Sequence, residues 1–239
     1  MTNPLIRKLE RRDFLSEAER EVLEGAVARV KEIGADEDMV REGDRPTEST
    51  LLLEGFAARY KILASGKRQI TAIHIGGDFI DLHSFLLHTM DHSILALTPC
   101  KIAVVPHGTL REITERHPHL TRLLWLSTLI DGAIHRQWLV SMGRLPALGQ
   151  LAHLLCELLL RLQTVGQADG NGIRLPFTQP ELGDVLGLST VHVNRVIQEL
   201  RNEGLITWRG DTVTITDWER LSEIAEFDPT YLNLEREPR

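Results

Sequence analysis

The chain has 239 residues, 42% of them hydrophobic, and a formal net charge of −7 at pH 7. This length and composition are enough for two modest domains, each with its own core. The negative charge excludes a protein that coats nucleic acid by charge alone, because non-specific affinity comes from neutralising phosphates, but it does not exclude a site-specific DNA reader.

Neither a membrane partner nor a targeting segment is predicted. The most apolar stretch of the chain is interrupted by His153, Glu157 and Arg161, and it falls short of the roughly 20 apolar residues that a membrane-spanning helix needs. The N-terminus lacks the apolar core of a signal peptide and soon becomes charged. We therefore expect a cytoplasmic location.

The two cysteines, Cys100 and Cys156, lie far apart among apolar neighbours, without the spacing that a zinc or iron–sulfur site requires. We expect both to be buried free thiols. A redox role for Cys100 stays open, although apolar burial would raise its pKa and make the thiol less reactive.

The first predicted element is an amphipathic helix from Leu15 to Lys31, with Ser16 as its start signal. After Gly34 the pattern changes to short apolar runs separated by glycines, which is typical of a β-barrel or jelly roll. The predicted strands are Thr50–Leu53, Ala57–Ile62, Ile70–Ile75, Ile94–Leu97 and Lys101–Val105.

A long helix is predicted from His119 to Met142, where apolar residues recur at alternating spacings of three and four. The heptad seam consists of Leu123, Leu126, Ile130, Ala133, Gln137 and Val140. We expect this seam to pack against the same helix of a second chain and to form a homodimer. The apolar positions expected to cover the β-domain are Leu124, Trp125, Leu129, Ile134 and Trp138. The alternative is an internal core helix of a monomer.

The segment Gly143 to Pro146 breaks the long helix in this interpretation and forms an interdomain hinge. A helix is predicted from Ala147 to Thr164, followed by a loop from Gly166 to Gly172 that is rich in Gly, Asp and Asn.

A helix-turn-helix pattern follows. Thr178, with Glu181 three residues later, is a capping-box signature for the first helix. Gly187 can take the left-handed conformation of a tight turn, and Ser189 caps the second helix. Two short helices joined by such a turn are typical of a DNA-binding motif.

The second helix of this motif divides into two faces. The apolar face consists of Val193, Val196, Ile197 and Leu200. The other face carries Asn, Arg and Gln side chains, which can pair with base edges in the major groove, and methyl groups that can contact thymine. The predicted DNA-binding residues are Thr178, Ser189, Thr190, Val191, His192, Asn194, Arg195, Gln198 and Arg209.

A β-hairpin is predicted next, with strands Leu205–Trp208 and Thr212–Ile215 on either side of a turn at Arg209, Gly210 and Asp211. A hairpin in this position is the wing of a winged helix-turn-helix. The alternative is a ligand-binding module that uses its helical hairpin for contacts with other proteins.

These motifs resemble the Crp/Fnr family of bacterial transcription regulators. The resemblance rests on Thr178 to Arg195, on the hairpin with Trp208, and on Gly77-Asp78-Phe79-Ile80, which is similar to the start of the family's phosphate-binding cassette. It covers nearly the whole chain in the order β-domain, long helix, winged helix. The resemblance implies a homodimer on palindromic double-stranded DNA, RNA polymerase as a further partner, and a β-roll sensor whose small-molecule effector stays unknown.

The resemblance places the effector pocket at Gly77, Asp78, Leu82, His83, Ser84, His92 and Ser93. Cyclic-AMP-binding members have a Glu for the ribose and an Arg-Ser pair for the phosphate, where this chain offers Leu82 and His92-Ser93. An uncharged pocket holds an anionic phosphate poorly, so we expect the effector not to be cyclic AMP. The Fnr branch has an N-terminal cysteine cluster for iron and sulfur, which this chain lacks because its first cysteine is Cys100.

Two alternatives to a regulator gated by a small molecule stay open. The imidazoles of His83, His88 and His92 could bind a metal or haem, with His88 and His92 on one helix face, but no carboxylate or thiolate completes a set, and no metal site is predicted. In the second alternative the protein is an effector-independent activator. An enzyme is not expected, because the sequence contains no recognisable catalytic motif.

The predicted fold class is α+β. The predicted divisions are a jelly-roll-like β-roll, or double-stranded β-helix, at 1–118, a dimerisation helix at 119–143, a winged helix-turn-helix domain at 144–218 and a C-terminal helical tail at 219–239.

Overall fold

The computed structural model describes residues 3–239, so the first two residues of the predicted β-roll domain lie outside the described part. The chain forms two compact units. The first contains the chain up to Lys61, Ala72–Gly132 and Asn233–Arg239, and the second contains Ile62–Thr71 and Ala133–Leu232. The predicted divisions after residues 118, 143 and 218 stay predictions.

Seven strands form a β-roll of two sheets. They are β1 (Arg29–Ile33), β2 (Asp38–Val40), β3 (Glu48–Glu54), β4 (Ala57–Ile62), β5 (Arg68–His74), β6 (Ser93–Ala96) and β7 (Cys100–Pro106). One sheet has the order β1-β7-β3 and the other has the order β2-β6-β4-β5. The five predicted strands are confirmed to within two residues at each end, whereas β1 and β2 are absent from the prediction.

Strand β1 shows that the first predicted helix is wrong beyond Gly25. Helix α2 spans Glu17–Gly25, and Ser16 caps it in a reciprocal hydrogen-bonded box with Glu19. Residues 29–33 instead pair antiparallel with β7, so that Val30 lies opposite Ala103. Pairing with a distant strand outweighs the local helical pattern, which is a weak determinant of structure.

Alternation along the strands gives the β1-β7-β3 sheet two different faces. Leu52 and Ile102 point into the roll, where they pack with residues of the second sheet such as Ile94. Leu51 and Val105 point the other way, into a core shared with the helices. These helices are α1 (Pro4–Glu10), α2, α4 (His107–Arg116) and α5 (Pro118–Arg144), and a short helix α3 (Ser84–Leu87) follows β5. Helices α1 and α4 are absent from the prediction.

An ion cluster joins the start of α5 to the N-terminal helices. The Nε2 atom of His119 lies 3.0 Å from Asp13 Oδ2, and its Nδ1 atom lies 2.6 Å from Glu19 Oε1. The hydrogen bond to Asp13 raises the pKa of His119. Burial alone would raise the pKa values of Asp13 and Glu19, but their hydrogen bonds outweigh it and lower both pKa values.

The second unit carries the remaining elements. The long helix α5 ends at Arg144 and helix α6 spans Ala147–Thr164 as predicted, so the helix break falls at Leu145 and Pro146, within the predicted segment Gly143 to Pro146. The predicted loop Gly166–Gly172 is partly a strand hairpin, since Ala168 pairs with Ile173 and Asp169 pairs with Gly172. The other elements are β8 (Ala168–Asp169), β9 (Gly172–Arg174), α7 (Gln179–Leu186), α8 (Thr190–Asn202), β10 (Ile206–Arg209), β11 (Thr212–Ile215), α9 (Trp218–Ile224) and a 3-10 helix (Pro229–Leu232).

The polar residues that interrupt apolar α6 are buried and paired. Glu157 is fully buried and accepts hydrogen bonds from Arg161 Nη1 at 2.9 Å and Tyr231 Oη at 2.8 Å. It also accepts one from Trp138 Nε1 at 3.1 Å, which ties α5 to α6.

Within residues 3–239, no helix combines the length and the apolar character needed to cross a bilayer.

Both cysteines are free and buried, as predicted. Burial raises the pKa of Cys100, and it raises the pKa of Cys156 to about 12. Both sulfurs are therefore thiols near neutral pH, and a thiol is a weak nucleophile.

We expect His119→Gln to remove a pH-dependent part of the stability. Because the pKa of His119 is raised in the folded state, its protonated form stabilises the fold fully at pH values below its ordinary pKa of 6.5. This contribution is lost as the pH rises through the folded-state pKa. The lowered carboxyl pKa values mean that their contribution is present above their ordinary values of 3.8 and 4.5, and is lost as the pH falls.

The difference in unfolding free energy between wild type and His119→Gln should therefore be largest between the ordinary pKa values of 4.5 for Glu19 and 6.5 for His119, and should shrink as the pH rises through the raised pKa of His119. Denaturant titrations across this range measure it, with His117→Gln as the control. A difference that does not change with pH contradicts the assignment.

Candidate nucleic-acid interface

Helix α7 begins at a fixed residue because Thr178 caps it. The main-chain N–H and the hydroxyl of Thr178 donate to Glu181 Oε2 at 2.6 and 2.7 Å, and the Glu181 N–H donates to Thr178 Oγ1 at 3.3 Å. This is the predicted capping box. The hydroxyl of Thr178 therefore forms the N-terminal cap of α7.

The turn between α7 and α8 requires two glycines. Gly187 has a φ of +68°, and its N–H donates to the carbonyl of Gly183, as does the N–H of Leu188 at 3.0 Å. A Cβ atom at Gly183 would lie 2.6 Å from the Leu188 carbonyl oxygen. Gly187 is confirmed as the turn residue, whereas the close approach at Gly183 has no signal in the sequence.

Helix α8 is held by its apolar face. Ser189 caps it by accepting a hydrogen bond from the His192 N–H at 3.3 Å. The buried residues are Val193, Val196, Ile197 and Leu200, and α8 packs on α6 and α7. The predicted division of this helix into a packed face and a displayed face is confirmed.

The displayed face of α8 carries five exposed residues, namely Thr190, Val191, Asn194, Arg195 and Gln198. Val191 is 82% exposed, which is unusual for a large apolar side chain near the start of a helix. His192 is half-buried, and its Nε2 atom lies 2.9 Å from Arg195 Nη2. The roles of these residues as DNA contacts stay predictions.

The wing is part of a larger sheet than a hairpin. Strands β10 and β11 pair antiparallel and form the predicted hairpin, but Arg209 ends β10 opposite Thr212, whereas the prediction placed it in the turn. The full sheet has the order β10-β11-β9-β8, and Arg174 of β9 contacts Asp211 in the turn through Nη2 and Oδ2 at 2.5 Å. Arg209 is exposed beside this turn.

Two residues from the Ile62–Thr71 part of the second unit hold the end of α7. Arg68 Nε donates to Asp184 Oδ2 at 2.8 Å. Gln69 Nε2 donates to the main-chain oxygens of Asp184 and Val185 at 2.8 and 3.2 Å, which satisfies carbonyls near the helix end. This pairing has no local signal in the sequence, because more than 100 residues separate the partners.

Helix α5 leaves an apolar stripe exposed that coincides with the predicted seam only at Val140. Leu123 and Ile130 of that seam are 0% and 6% exposed within their own chain, and Leu123 fills the core shared by the helices and the sheet. Val140 is 56% exposed, as are Trp125 at 65% and Leu129 at 54%, which lie outside the seam. The half-buried seam residues are Leu126, Ala133 and Gln137. Trp125 and Leu129 therefore do not cover the β-domain, contrary to the prediction.

The predicted effector residues contact different parts of the first unit, and their role in binding an effector stays a prediction. A Cβ atom at Gly77 would lie 2.7 Å from the Pro4 carbonyl oxygen, and Asp78 forms an ion pair with Lys8. Leu82 packs on the helical core. Ser84 Oγ and Ser93 Oγ form hydrogen bonds with the His107 imidazole and the Glu42 N–H, at 3.2 and 3.0 Å.

The remaining two residues of the predicted pocket, His83 and His92, lie together with ring centroids 4.9 Å apart. Burial lowers the pKa of both imidazoles, that of His83 to about 4. The predicted helix face with His88 is wrong, because α3 ends at Leu87 and His88 is exposed. The third metal-ligating side chain of the cluster is Asp91.

The β-roll contains a cleft of about 530 Å³ that the sequence analysis did not identify. Its charged lining residues are Lys31, Asp38, Asp44, Arg45, Glu48 and Asp81. Asp81 is buried and accepts a hydrogen bond from the Thr50 N–H at 2.5 Å. Burial raises the pKa of Asp81 to about 7. A cleft of this volume, with a protonatable acid among its lining residues, is a candidate small-molecule site.

Two family models match the chain. The cyclic nucleotide-binding domain matches residues 30–117, and the Crp-like helix-turn-helix domain matches residues 149–224. These ranges contain the β-roll strands β2 to β7 and the α7-turn-α8 motif with its wing.

Curated relatives and solved structures agree with these matches. The nitrogen fixation regulation protein FixK of Bradyrhizobium diazoefficiens is 30% identical over 190 residues, which cover 79% of this chain and 78% of that protein. The transcriptional activator protein FnrL of Cereibacter sphaeroides is 26% identical over 198 residues, covering 81% and 79%. The structure of FixK2 from Bradyrhizobium japonicum superimposes with a TM-score of 0.76 at 24% identity, covering 83% of this chain and 97% of that one.

We expect Gly183→Ala to destabilise the second unit, because the added Cβ clashes with a main-chain oxygen that cannot move without opening the turn. The expected loss of unfolding free energy is about 1–3 kcal/mol. The matched control is Gly143→Ala, where a Cβ meets nothing within 4 Å; in a helix this change stabilises by roughly 0.5–1 kcal/mol. Thermal and denaturant unfolding measure both, and equal shifts for the two variants contradict the account of the turn.

Proposed function

The chain belongs to the Crp/Fnr family of transcription regulators, and on that basis we propose that it reads a palindromic DNA site as a homodimer, with one α8 helix in the major groove of each half-site. The observation that carries this proposal is the two-faced α8. Its valines and isoleucine pack inward, while Asn194 and Arg195 lie exposed near its N-terminal half. Base contacts concentrate at that end of a recognition helix.

The chemistry of the displayed face fits base edges. Arg195 can donate two parallel hydrogen bonds to guanine O6 and N7, and Asn194 or Gln198 can pair with adenine N6 and N7. The methyl groups of exposed Val191 suit the thymine methyl. The hydrogen bond between Arg195 and His192 holds the guanidinium near the helix before DNA arrives, which lowers the entropy lost on binding.

Electrostatic attraction to phosphate is weak in this domain. From Arg174 to Gly210 the four arginines are balanced by Glu181, Asp184, Glu199 and Glu203, and Arg174 already pairs with Asp211. Selectivity must therefore come from base contacts and from a few placed arginines such as Arg209 in the wing. We expect a correspondingly shallow dependence of affinity on salt.

The exposed stripe of α5 is the proposed dimer interface. The stripe consists of residues at helical spacing, namely Trp125, Leu129 and Val140. Exposed apolar residues on one helix face mark a surface for contact with another protein. Pairing with the same helix of a second chain covers it and gives the two-fold symmetry that a palindromic site requires.

The regulator acts without a cyclic nucleotide, in this proposal, and the acid-lined cleft beside Asp81 is the place for an effector of different chemistry. Several relatives bear names of transcriptional activators. We therefore propose activation through contact with RNA polymerase, in the cytoplasm where the DNA lies.

We expect Arg195→Ala to lose on the order of 1–3 kcal/mol of discrimination at a single base pair. The measurement is selection of bound sites from random DNA, followed by fluorescence anisotropy with the selected site and with single-base variants of it. Arg116→Ala removes the same charge from an exposed position in the first unit and serves as the control. If Arg195→Ala weakens the affinity for every DNA sequence equally, Arg195 contacts phosphate and not a base. A selection that enriches no sequence refutes the proposal.

We expect Leu129→Asp to dissociate the dimer, because it buries an unpaired charge in an apolar interface. Sedimentation equilibrium should show dimer association weakened by at least about tenfold, which corresponds to 1.4 kcal/mol. Leu86→Asp makes the same change at a side chain that is 73% exposed and outside α5, and it should leave association unchanged. A wild-type chain that sediments as a monomer, or a Leu129→Asp chain that associates like wild type, contradicts the interface.

A further inference from the structure

The cluster of His83, Asp91 and His92 has the geometry of a metal site. One potential ligand atom from each residue lies within 4.8 Å of those of the other two. Around an ion with nitrogen ligands at about 2.0–2.1 Å, tetrahedral ligand atoms lie about 3.4 Å apart. Side-chain adjustments of about an ångström are therefore enough to bring the two imidazoles onto one ion.

The two imidazoles have nitrogen atoms that the protein leaves unused. The Nε2 atoms of His83 and His92 are both buried, and neither has a hydrogen-bond partner among residues 3–239. His92 is only 6% exposed. Burying a polar atom without a partner is unfavourable, and a bound ion would satisfy both nitrogens at once.

Asp91 sets the imidazole of His92 in the form that a metal needs. His92 Nδ1 lies 2.6 Å from Asp91 Oδ1. When Nδ1 carries the proton and donates it to this carboxylate, Nε2 is left with a free lone pair, which is the arrangement of carboxylate–histidine–metal sites.

The charges around the cluster also favour a cation. Arg59 lies beside both histidines but pairs with Asp131 at 3.1 Å. With neutral imidazoles, Arg59, Asp131 and Asp91 together carry one net negative charge, which an incoming divalent ion offsets.

We propose that His83 and His92 bind a divalent transition-metal ion in the β-roll, with Asp91 as the carboxylate that orients the His92 imidazole. Imidazole nitrogen ligands suit Zn²⁺, Fe²⁺ or Co²⁺ and do not suit the all-oxygen preference of Mg²⁺ or Ca²⁺. The site needs no contact with DNA, so it stands or falls independently of the proposed regulatory function.

The test is titration of the full-length chain, freed of metal by a chelator, with Co²⁺ followed by visible absorption and with Zn²⁺ followed by calorimetry. We expect one ion per chain in the wild type, and loss of the Co²⁺ spectrum in His83→Gln and His92→Gln. Asp91→Asn should weaken binding by about 10–100-fold, because this carboxylate orients a ligand. His88→Gln, which removes an exposed histidine of the same loop, is the matched control and should bind like wild type.

Circular dichroism confirms that each variant is folded before its titration is compared. The proposal is overturned if the wild type shows no saturable site, or if one-to-one binding persists in both His83→Gln and His92→Gln. Loss of binding in His88→Gln, with His83→Gln unaffected, also overturns it and assigns the ion to another set of histidines.

Discussion

The packing of the apolar face of α8 into its own domain is the interaction on which the rest of the account depends. Val193, Val196 and Leu200 are at most 2% exposed, and burial of each such side chain contributes about 1.5–3 kcal/mol relative to exposure. Rotating the helix about its axis by one position would expose these side chains and lose that burial free energy. A single new hydrogen bond contributes only about 0.5–1.5 kcal/mol net, which is too little to offset the loss. Asn194 and Arg195 therefore face outward because their neighbours face inward.

The same logic governs the long helix. Leu123 and Ile130 are buried within their own chain. Trp125 and Leu129 lie on the exposed side of the helix, where a second chain can pack against them. The proposed dimer interface is thus set by the packing of the monomer. The small turn between α7 and α8 adds a second constraint, because Gly183 lets the two helices approach closely enough for the valines to reach their core.

Local signals in the sequence predicted the candidate site well, and distant contacts limited the rest. The capping residues Thr178 and Ser189 and the left-handed Gly187 mark the helix ends directly, so the boundaries of the motif are correct. Strand β1 is different, since its residues are mostly exposed and become a strand only by pairing with β7, about 70 residues away. Asp91 was likewise overlooked beside the histidines, because its role depends on how the loop after α3 folds rather than on spacing.

The position of α8 on DNA tests the central claim most directly. An iron–EDTA group attached at Val191→Cys cleaves DNA close to the start of that helix, and the two native cysteines are buried and so resist labelling. The account predicts two symmetric groups of cleavage on a selected site, centred in the major groove and about 34 Å apart. Cleavage that is absent from the bound site, or that is confined to the minor groove, contradicts it.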